Sequence, residues 1–434
     1  MSRMFSARTA MLAAATAGAA FLALQDHDRA PAAVAANLPH RSGASTPWTT
    51  TPTSSRTAEV DDAAAQTARR TAPTPGAAGD AHLKGLVDLS RATLRDGRYQ
   101  VELPGGERAI LTLDPTVQAA AEKALRQARS PRGAIVVMTP DGRIVALAGQ
   151  RQDEADPVAD PSLATSVWAP AASIFKVVTA AALIDAGVSP ERRVCFHGGL
   201  RSIQPSNLED HPRRDSQCQD LGYAISKSQN AVMAKLVHGH LAPTALRRIA
   251  TAFGFASAPA FAIDAEPARA DIPEQPLEFA RVSAGFWHTE LSPLGGALVA
   301  GTIATRGMAL TPMLVDSVID AQGTVHRIEP PAPQRAIPER VAQRVGALMV
   351  GTTETGTAYK GFHDHRGRKF LAVDVAGKTG TLTRQSPSYL QYSWFVGFAP
   401  VKAPRYIIAV LLGNAPTWHL KAHTAARLVL EKAL

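Results

Sequence analysis

The spacing of apolar and polar positions predicts strands near both ends of the folded part of the chain and helices between them. Residues 133–148 form two apolar runs around a Pro140-Asp141-Gly142 turn, which predicts a β-hairpin. Further strands are predicted at 371–377, 393–398 and 405–412. Helical spacing is found after Asp114-Pro115 and at 171–186, 221–237, 339–351 and 417–434. Strands at both ends of a helical middle predict one mixed sheet covered by helices.

The first residues have the pattern of an export signal. Arg3 and Arg8 precede the apolar stretch 10–24, after which the chain becomes polar. A stretch of about 15 residues is short for a hydrocarbon core of ~30 Å, which favours a cleaved signal over a membrane anchor, and both readings stay open. We therefore expect residues 1–25 to be a signal peptide or an N-terminal anchor. The protein would be exported, to the periplasm or the outer face of the cytoplasmic membrane.

Residues 26–82 are rich in Ala, Thr, Ser and Pro and show little apolar periodicity. This composition predicts a disordered tether between the export segment and one folded domain at 83–434. The chain as a whole is 45% apolar and 19% charged, as in a globular protein. No run of some 20 apolar residues follows the N-terminal segment to suggest a multi-span membrane protein.

The net charge of +9 raises the question of an anionic partner. The basic residues are scattered, and no cluster of them is interleaved with aromatic residues, so we do not expect nucleic acid to bind. Cys195 and Cys218 lack the spacing of a zinc or redox site. The pairs His238/His240 and His363/His365 have the spacing of metal ligands, but no third ligand is identified and both are expected on exposed loops. We predict neither a metal nor a cofactor.

Ser173 and Lys176 are the first candidate catalytic pair. Pro170 stands where a helix is expected to begin, and the run after Ser173 is strongly helical. Positions three apart share one face of a helix, so the Ser173 hydroxyl and the Lys176 amine can meet. A lysine can act as a base for serine only if its pKa falls well below about 10. Since Ser-x-x-Lys is common by chance, this pair alone decides nothing.

Two further clusters carry compatible chemistry. The segment Ser228-Gln229-Asn230 presents a hydroxyl and an amide at a helix start, where such residues otherwise serve as caps. The segment Lys378-Thr379-Gly380-Thr381 ends an apolar strand. It offers a positive charge, two hydroxyls for a substrate carboxylate, and a glycine that lets a ligand approach the backbone.

With these three motifs, SIFK, SQN and KTGT, the chain resembles the penicillin-binding protein transpeptidases and the wider serine acyltransferase family that includes the serine β-lactamases. The resemblance also includes LTLDPTVQAAAEKAL, GTTETGTA and SWFVGFAP, and it covers roughly residues 111–434. It implies an α/β fold of the α+β type, in which a mainly antiparallel sheet is covered by helices and joined by an all-helical lobe.

The resemblance also implies roles for the first two motifs. Ser173 would attack the carbonyl between the two D-alanines of a peptidoglycan stem peptide, and Lys176 would accept its proton. Ser228 would pass a proton to the leaving D-alanine, while Asn230 would bind the substrate amide and orient Lys176. β-Lactams would then be covalent inhibitors of the same serine.

The third motif would bind the substrate. By the resemblance, Lys378 lowers the pKa of Lys176 and attracts the terminal carboxylate, which Thr379 and Thr381 hold beside Gly380. The backbone N–H groups of Ser173 and Thr381 would form the oxyanion hole. A second amine would take the acyl group in a transpeptidase, and water would take it in a D,D-carboxypeptidase.

Two other outcomes stay open. A serine β-lactamase with a deacylating glutamate has Glu-x-x-Leu-Asn, whereas the nearest match here is the segment 274–278, EQPLE, which lacks the Asn. Asn230 argues against the class that uses a carboxylated lysine, which usually has Val at that place. A non-catalytic receptor would bind peptidoglycan or a β-lactam through the same intact motifs without turnover. No glycosyltransferase region precedes the transpeptidase, so a bifunctional enzyme is not expected.

The sequence also supports predictions about the two cysteines and about Trp394. Export places the two cysteines in an oxidising compartment, so we expect a Cys195–Cys218 disulfide, with two unpaired thiols as the alternative. Closing a loop of about 24 residues would add roughly 3 kcal/mol to the free energy of unfolding. Trp394 is expected to pack in the core beside the KTGT strand, with lining of the cleft as the alternative.

Overall fold

The computed structural model describes residues 79–152, 157–385 and 389–434. The export segment predicted at 1–25 and the tether predicted at 26–82, apart from its last four residues, lie outside them. The helices are α1 Pro115–Ala128, α2 Phe175–Asp185, α3 Leu221–Ser226, α4 Asn230–His240, α5 Pro243–Ala252, α6 Pro276–Ser283, α7 Pro293–Ala304, α8 Glu339–Glu354, α9 Tyr359–Phe362 and α10 Ala422–Ala433. Among the described residues, no helix has the length and apolar character needed to cross a membrane.

The strands lie at both ends of the described chain and in short pairs between. They are β1 Thr93–Arg95, β2 Arg98–Glu102, β3 Arg108–Leu111, β4 Arg132–Met138, β5 Ile144–Arg151, β6 Val158–Ala159, β7 Ala169–Pro170, β8 Val194–Phe196, β9 Gln217–Gln219, β10 Arg269–Ala270, β11 Thr289–Leu291, β12 Met308–Ala309, β13 Val315–Ile319, β14 Val325–Arg327, β15 Gln334–Arg335, β16 Ala376–Arg384, β17 Leu390–Ala399 and β18 Tyr406–Asn414.

The central sheet has six antiparallel strands in the order β16-β17-β18-β4-β5-β6. Its central strands read as continuous apolar runs because both faces are covered by helices. Alternate residues enter different cores: Val136 packs on the side of α7 and α8, while Ile135 and Val137 pack on the side of α1 and α10. Strand β16 forms one edge of this sheet, so one side of it is left for other contacts.

An all-helical lobe of α2 to α6 stands beside the sheet, with α2 at its centre. The side chains of α2 from Phe175 to Ile184 are all buried. A helix that is apolar all round is stable only when other elements surround it, and α2 is packed against α3, α4, α5, α6 and α8. The fold class predicted from the sequence is therefore confirmed, with an antiparallel central sheet and a helical lobe.

A second sheet of five strands, in the order β1-β2-β3-β13-β14, was not predicted. Its outer strands β1 and β14 are fully exposed, so they lack the apolar alternation on which the prediction of strands depends. The buried carboxylate of Asp80 accepts hydrogen bonds from the backbone N–H groups of Leu314 and Val315 and ties the start of the described chain to this part of the fold.

Several predicted elements are confirmed and others begin or end elsewhere. The hairpin at 133–148 is β4 and β5, and Asp114 caps α1 by accepting hydrogen bonds from the N–H groups of Thr116 and Val117. The prediction of a strand at 371–377 is wrong in its bounds. The observed strand, β16, begins at Ala376 and runs through the KTGT motif, because residues 376–384 pair with β17. The closing helix starts at Ala422 and not at Thr417.

The predicted helix at 221–237 is two helices. The chain breaks at 227–229, where Ser228 has a φ of +58°, a left-handed conformation that an α-helix does not contain. Asn230 therefore begins α4, and the predicted placement of the SQN motif at a helix start is confirmed.

Candidate active site

Ser173 lies in a 3-10 turn, Ala172–Ile174, immediately before α2. The expectation that a helix begins at Pro170 is wrong, because Pro170 pairs with Glu290 in a short antiparallel ladder. Gly285 packs closely against this turn. A Cβ atom added at Gly285 would lie 2.1 Å from the carbonyl oxygen of Ala172 and 2.9 Å from the Ser173 nitrogen. Gly285, with a φ of +86°, is required there.

Three oxygens surround the Lys176 amine. Its Nζ lies 2.7 Å from Ser173 Oγ, 2.6 Å from Asn230 Oδ1 and 2.7 Å from the carbonyl oxygen of Ala284. The amide and carbonyl oxygens can only accept hydrogen bonds, whereas a hydroxyl can donate one. A neutral amine has two N–H groups for the two acceptors and one lone pair for the Ser173 hydroxyl. The geometry therefore fits a lysine that takes the proton of Ser173.

Burial is the main reason why the pKa of Lys176 lies well below its ordinary value, and the nearby charge of Lys378 lowers that pKa further. Lys176 is fully buried at the base of the site. A neutral amine at this place can act as a general base, which a lysine in water cannot do near neutral pH.

A second lysine and serine face the same site. Lys378 Nζ donates hydrogen bonds to Ser228 Oγ at 2.9 Å and to the carbonyl oxygen of Thr379 at 2.8 Å. Lys378 is also fully buried, and this burial lowers its pKa to about 7. Its ammonium lies next to a hydroxyl that can relay a proton to a leaving group.

Asn230 connects the two motifs of the helical lobe. Its Oδ1 accepts from Lys176, and its Nδ2 donates to the carbonyl oxygen of Leu200 at 2.8 Å. The second bond fixes the orientation of the amide. The loop that carries Leu200 therefore takes part in positioning the base, a contact that no motif in the sequence indicated.

The KTGT motif lies on the edge strand β16, and its residues Thr379, Gly380 and Thr381 line an open cleft of about 900 Å³. Ser173, Ser228 and Asn230 line the same cleft from the helical lobe. The predicted site residues are therefore brought together: Ser173, Lys176, Ser228, Asn230, Lys378, Thr379, Gly380 and Thr381. Edge strands leave backbone groups unpaired, so β16 can bind an extended peptide as an added strand.

Thr357 was not singled out from the sequence, although it lies in the segment GTTETGTA. Its Oγ1 lies 2.5 Å from Oγ1 of Thr379, and both hydroxyls line the cleft. Trp394 was predicted to pack in the core, with lining of the cleft as the alternative; it is 1% exposed, and it also lines the cleft. Its indole Nε1 donates to the carbonyl oxygen of Pro170 at 2.9 Å, so this tryptophan also supports the turn that carries Ser173.

The cleft is positively charged. Arg201, Lys227 and Lys421 line it, and among the described residues that line it there is no Asp or Glu. The two carboxylates of the EQPLE segment are used elsewhere: Glu274 pairs with Arg247, and Glu278 pairs with Arg281. The cleft therefore suits an anionic substrate and holds no carboxylate of the described chain that could activate water.

Cys195 and Cys218 face each other across the β8–β9 ladder and form a disulfide, with their Cα atoms 3.8 Å apart. This bond closes the loop that carries Leu200. The expectation of exposed loops is wrong for His238 and His240, which lie in the last turn of α4, and for His363, which is buried against Tyr359, but His365 lies in an exposed turn as expected. In the described part of the chain, no group of three or more His, Cys, Asp and Glu side chains could hold a metal ion.

The chain is similar in sequence and fold to several known proteins. Peptidoglycan D,D-transpeptidase PbpA of Mycobacterium tuberculosis is 28% identical over 372 residues, which are 76% of this chain and 73% of that protein. The imipenem acyl-enzyme complex of penicillin-binding protein A from M. tuberculosis has a TM-score of 0.63 and 27% identity, and the match covers 76% of this chain and 80% of that chain. The D,D-transpeptidase domain of a peptidoglycan glycosyltransferase from Eggerthella lenta has a TM-score of 0.63 and 26% identity, with 77% and 85% covered.

Residues 133–431, more than half of the chain, match the family described as the penicillin binding protein transpeptidase domain. This range contains all three motifs and every side chain that surrounds Lys176 and Lys378. The chain belongs to the penicillin-binding protein transpeptidase family.

Proposed function

We propose that this protein is a D,D-transpeptidase of cell-wall synthesis that acts on peptidoglycan stem peptides ending in D-Ala-D-Ala through an acyl-enzyme at Ser173. The observation that carries this proposal is the environment of Lys176. Two acceptor oxygens take its N–H groups, and its remaining lone pair faces the Ser173 hydroxyl at 2.7 Å. Relatives with the same family domain are named peptidoglycan D,D-transpeptidases.

In the first half-reaction, Ser173 Oγ attacks the carbonyl carbon that joins the two D-alanines, and its proton moves to Lys176. The tetrahedral intermediate is stabilised by backbone N–H groups at Ser173 and Thr381. Lys176 then passes this proton through Ser228, which accepts a hydrogen bond from Lys378, to the nitrogen of the leaving D-alanine. The C–N bond breaks, and Lys176 is neutral again for the second half-reaction. The products are free D-alanine and an ester at Ser173.

In the second half-reaction, an amine of another stem peptide attacks the ester carbonyl. The amine loses one proton to Lys176, the C–O bond breaks, and the proton returns to Ser173 Oγ. A new amide cross-links the two peptides. With water in place of the amine the product is a free carboxylate, so carboxypeptidase activity uses the same site.

Substrate binding would rest on charge and on the edge strand. The carboxylate of the terminal D-alanine would be held by Thr379 and Thr381 near Lys378, with Thr357 bonded to Thr379. Three further cations line the cleft without a described carboxylate to neutralise them. β-Lactams carry a carboxylate and a reactive amide, so they would acylate Ser173 in the same way. An acyl-enzyme with imipenem is known for the relative from M. tuberculosis.

The test is the release of D-alanine by the purified full-length protein from a D-Ala-D-Ala peptide, with and without an acceptor amine. A transpeptidase releases D-alanine and forms the amide product when the amine is present. Release without amide product would indicate a carboxypeptidase. Covalent labelling by penicillin without any release of D-alanine would contradict the proposal in favour of a receptor.

We also propose that the protein is exported and acts in the periplasm or at the outer face of the cytoplasmic membrane. The apolar stretch at 10–24 after two arginines supports this location. The Cys195–Cys218 disulfide supports it as well, since such bonds persist in oxidising compartments. Peptidoglycan, the proposed substrate, lies outside the cytoplasm.

A further inference from the structure

A buried ionic cluster of Lys235, Asp215 and His197 lies behind Asn230. The ammonium of Lys235 donates to Asp215 Oδ2 at 2.6 Å, and His197 Nδ1 donates to Asp215 Oδ1 at 2.5 Å. The side chains of Lys235 and Asp215 are each 4% exposed, and that of His197 is 12% exposed. None of the three lines the catalytic cleft. Since apolar side chains of similar size often stabilise a fold as well as a buried ion pair does, stability alone does not explain this cluster.

The cluster joins helix α4 to the loop that lies across the start of that helix. Lys235 belongs to α4, and His197 lies on the loop, three residues before Leu200. Between them the loop touches α4 directly, because a Cβ atom added at Gly199 would lie 2.4 Å from the Cβ of Ala231. Gly199 has a φ of +71°, so a glycine is required there on both counts. This short stretch of backbone is therefore held on α4 by the cluster and by close packing.

The stretch ends at the carbonyl oxygen that orients Asn230. Leu200 accepts a hydrogen bond from Asn230 Nδ2 at 2.8 Å, while Asn230 Oδ1 accepts from Lys176 at 2.6 Å. An amide oxygen only accepts and an amide nitrogen only donates, so the two ends of this side chain are not interchangeable. Without the Leu200 oxygen, the amide can turn its NH₂ group towards Lys176. That group would then compete for the lone pair that takes the Ser173 proton.

We propose that Asp215 is a positioning residue for the acylation step. Its carboxylate fixes His197 on α4, and His197 fixes the stretch of loop that ends at Leu200. Leu200 in turn orients the Asn230 amide towards the base. Asp215 touches no reacting atom and acts only through these groups. This inference rests on the proposed function in one respect, the role of Lys176 as the base.

The test is the rate at which penicillin acylates the full-length protein, measured over a range of penicillin concentrations. We expect Asp215→Ala to lower the limiting rate constant about 10-fold or more, because displaced catalytic groups are slow. The concentration that gives half of the limiting rate should change by less than about 2-fold, since no contact with penicillin is lost. Asp215→Asn keeps a hydrogen-bonding group and should recover part of the rate. Asp210→Ala, which removes the exposed carboxylate bound to the same Lys235, is the matched control and should leave both quantities unchanged.

A double-mutant cycle with Asn230 separates positioning from a general loosening of the fold. In an Asn230→Ala background, Asp215→Ala should change the acylation rate by less than about 2-fold, since the residue through which it acts is absent. The melting temperature should still fall in that background. An effect of Asp215→Ala on the rate that persists in Asn230→Ala, or a wild-type rate in Asp215→Ala alone, would overturn the inference.

His197→Ala decides the question if Asp215→Ala does not fold, because it leaves the ion pair of Asp215 with Lys235 in place. It should slow acylation to a similar extent, and a wild-type rate would overturn the inference. Each folded variant should still take up one penicillin per molecule at long times. D-alanine release is measured separately: acylation of the wild type without release counts against the proposed function alone, whereas a wild type that penicillin does not acylate would overturn both.

Discussion

Lys378 donates a hydrogen bond to the Ser228 hydroxyl at 2.9 Å, although the two residues lie 150 positions apart in the chain. One comes from the edge strand of the central sheet and the other from the break between α3 and α4. The bond joins the two walls of the cleft. In the proposed mechanism, this bond connects the lysine that would attract the substrate carboxylate to the hydroxyl that would protonate the leaving amine.

The two buried lysines predict a bell-shaped dependence of acylation on pH. Lys176 must be neutral to accept the Ser173 proton, so the rate should rise with pH through the lowered pKa of Lys176. Lys378 must be charged to attract a carboxylate, so the rate should fall above its pKa of about 7. The second-order rate constant for penicillin acylation, measured from about pH 5 to 9, checks both limbs.

At saturating penicillin the falling limb should move to higher pH, because a bound carboxylate raises the pKa of Lys378. A second-order rate constant that keeps rising above pH 7 would show that the charge of Lys378 is not needed.

The penicilloyl adduct should last for many minutes. Among the described residues that line the cleft there is no Asp or Glu to activate water, and Glu274 and Glu278 are paired with arginines. The loss of adduct mass with time after removal of free penicillin measures the lifetime. Rapid hydrolysis of nitrocefin by the pure protein would support the β-lactamase alternative instead.

A buried ion pair should stabilise the loop near Asn230. Lys235 of α4 contacts both Asp215 at 2.6 Å and Asp210 at 3.0 Å, but the Asp215 side chain is 4% exposed and that of Asp210 is 92% exposed. Asp215→Asn leaves the buried ammonium with only the exposed Asp210 as a charged partner and should lower the free energy of unfolding by about 3 kcal/mol. Asp210→Asn is the matched control and should cost about 1 kcal/mol or less.

The Lys235–Asp215 ion pair should also make the free energy of unfolding depend on pH in the acidic range. Burial alone would raise the pKa of Asp215, but hydrogen bonds from His197, from the His211 N–H and from Lys235 lower it well below its ordinary value of 3.8. The stabilisation is therefore present above pH 3.8 and is lost as the pH falls below it. The difference in unfolding free energy between the wild type and Asp215→Asn should therefore shrink below pH 3.8. Asp215→Asn and Asp210→Asn lowering the free energy of unfolding equally at pH 7 would contradict this account.

The Cys195–Cys218 disulfide should affect catalysis more than the stability of the sheet. It closes the loop whose Leu200 carbonyl oxygen accepts from Asn230, and Asn230 in turn contacts Lys176. A Cys195→Ser, Cys218→Ser double variant should be acylated by penicillin more slowly, while the melting temperature changes modestly. An unchanged acylation rate together with a large fall in melting temperature would assign the bond a structural role only.

The sequence predicted which side chains come together at the site better than it predicted the backbone that carries them. Ser173, Ser228 and Lys378 were identified from three short motifs. The structure places Ser173 and Ser228 on one cleft, and the buried Lys378 donates a hydrogen bond to Ser228. The strand that carries Lys378 was placed too early, because residues 371–375, apolar apart from Asp374, look like a strand but have no strand beside them. The polar KTGT residues form the strand because β17 pairs with them along nine positions.

Contacts between distant parts of the chain could not be predicted from local patterns. The carbonyl oxygens of Ala284 and Leu200 carry no signal in the sequence, since every residue has one, yet both help to position Lys176 and Asn230. Gly285 is also explained only by the close approach of the Ser173 turn. The left-handed Ser228 interrupts a run whose side chains fit a helix throughout.

The most direct test of the central claim, an acyl-enzyme at Ser173 formed with Lys176 as base, is the intact mass of the full-length protein after incubation with penicillin. The wild type should gain the mass of one penicillin molecule, and Ser173→Ala should gain nothing. Lys176→Arg should also stay unmodified over the same time, because a guanidinium does not give up its proton near neutral pH. Ser90→Ala, an exposed serine outside the cleft, should behave as the wild type. An unmodified wild type, or an adduct that persists in Ser173→Ala, would contradict the account.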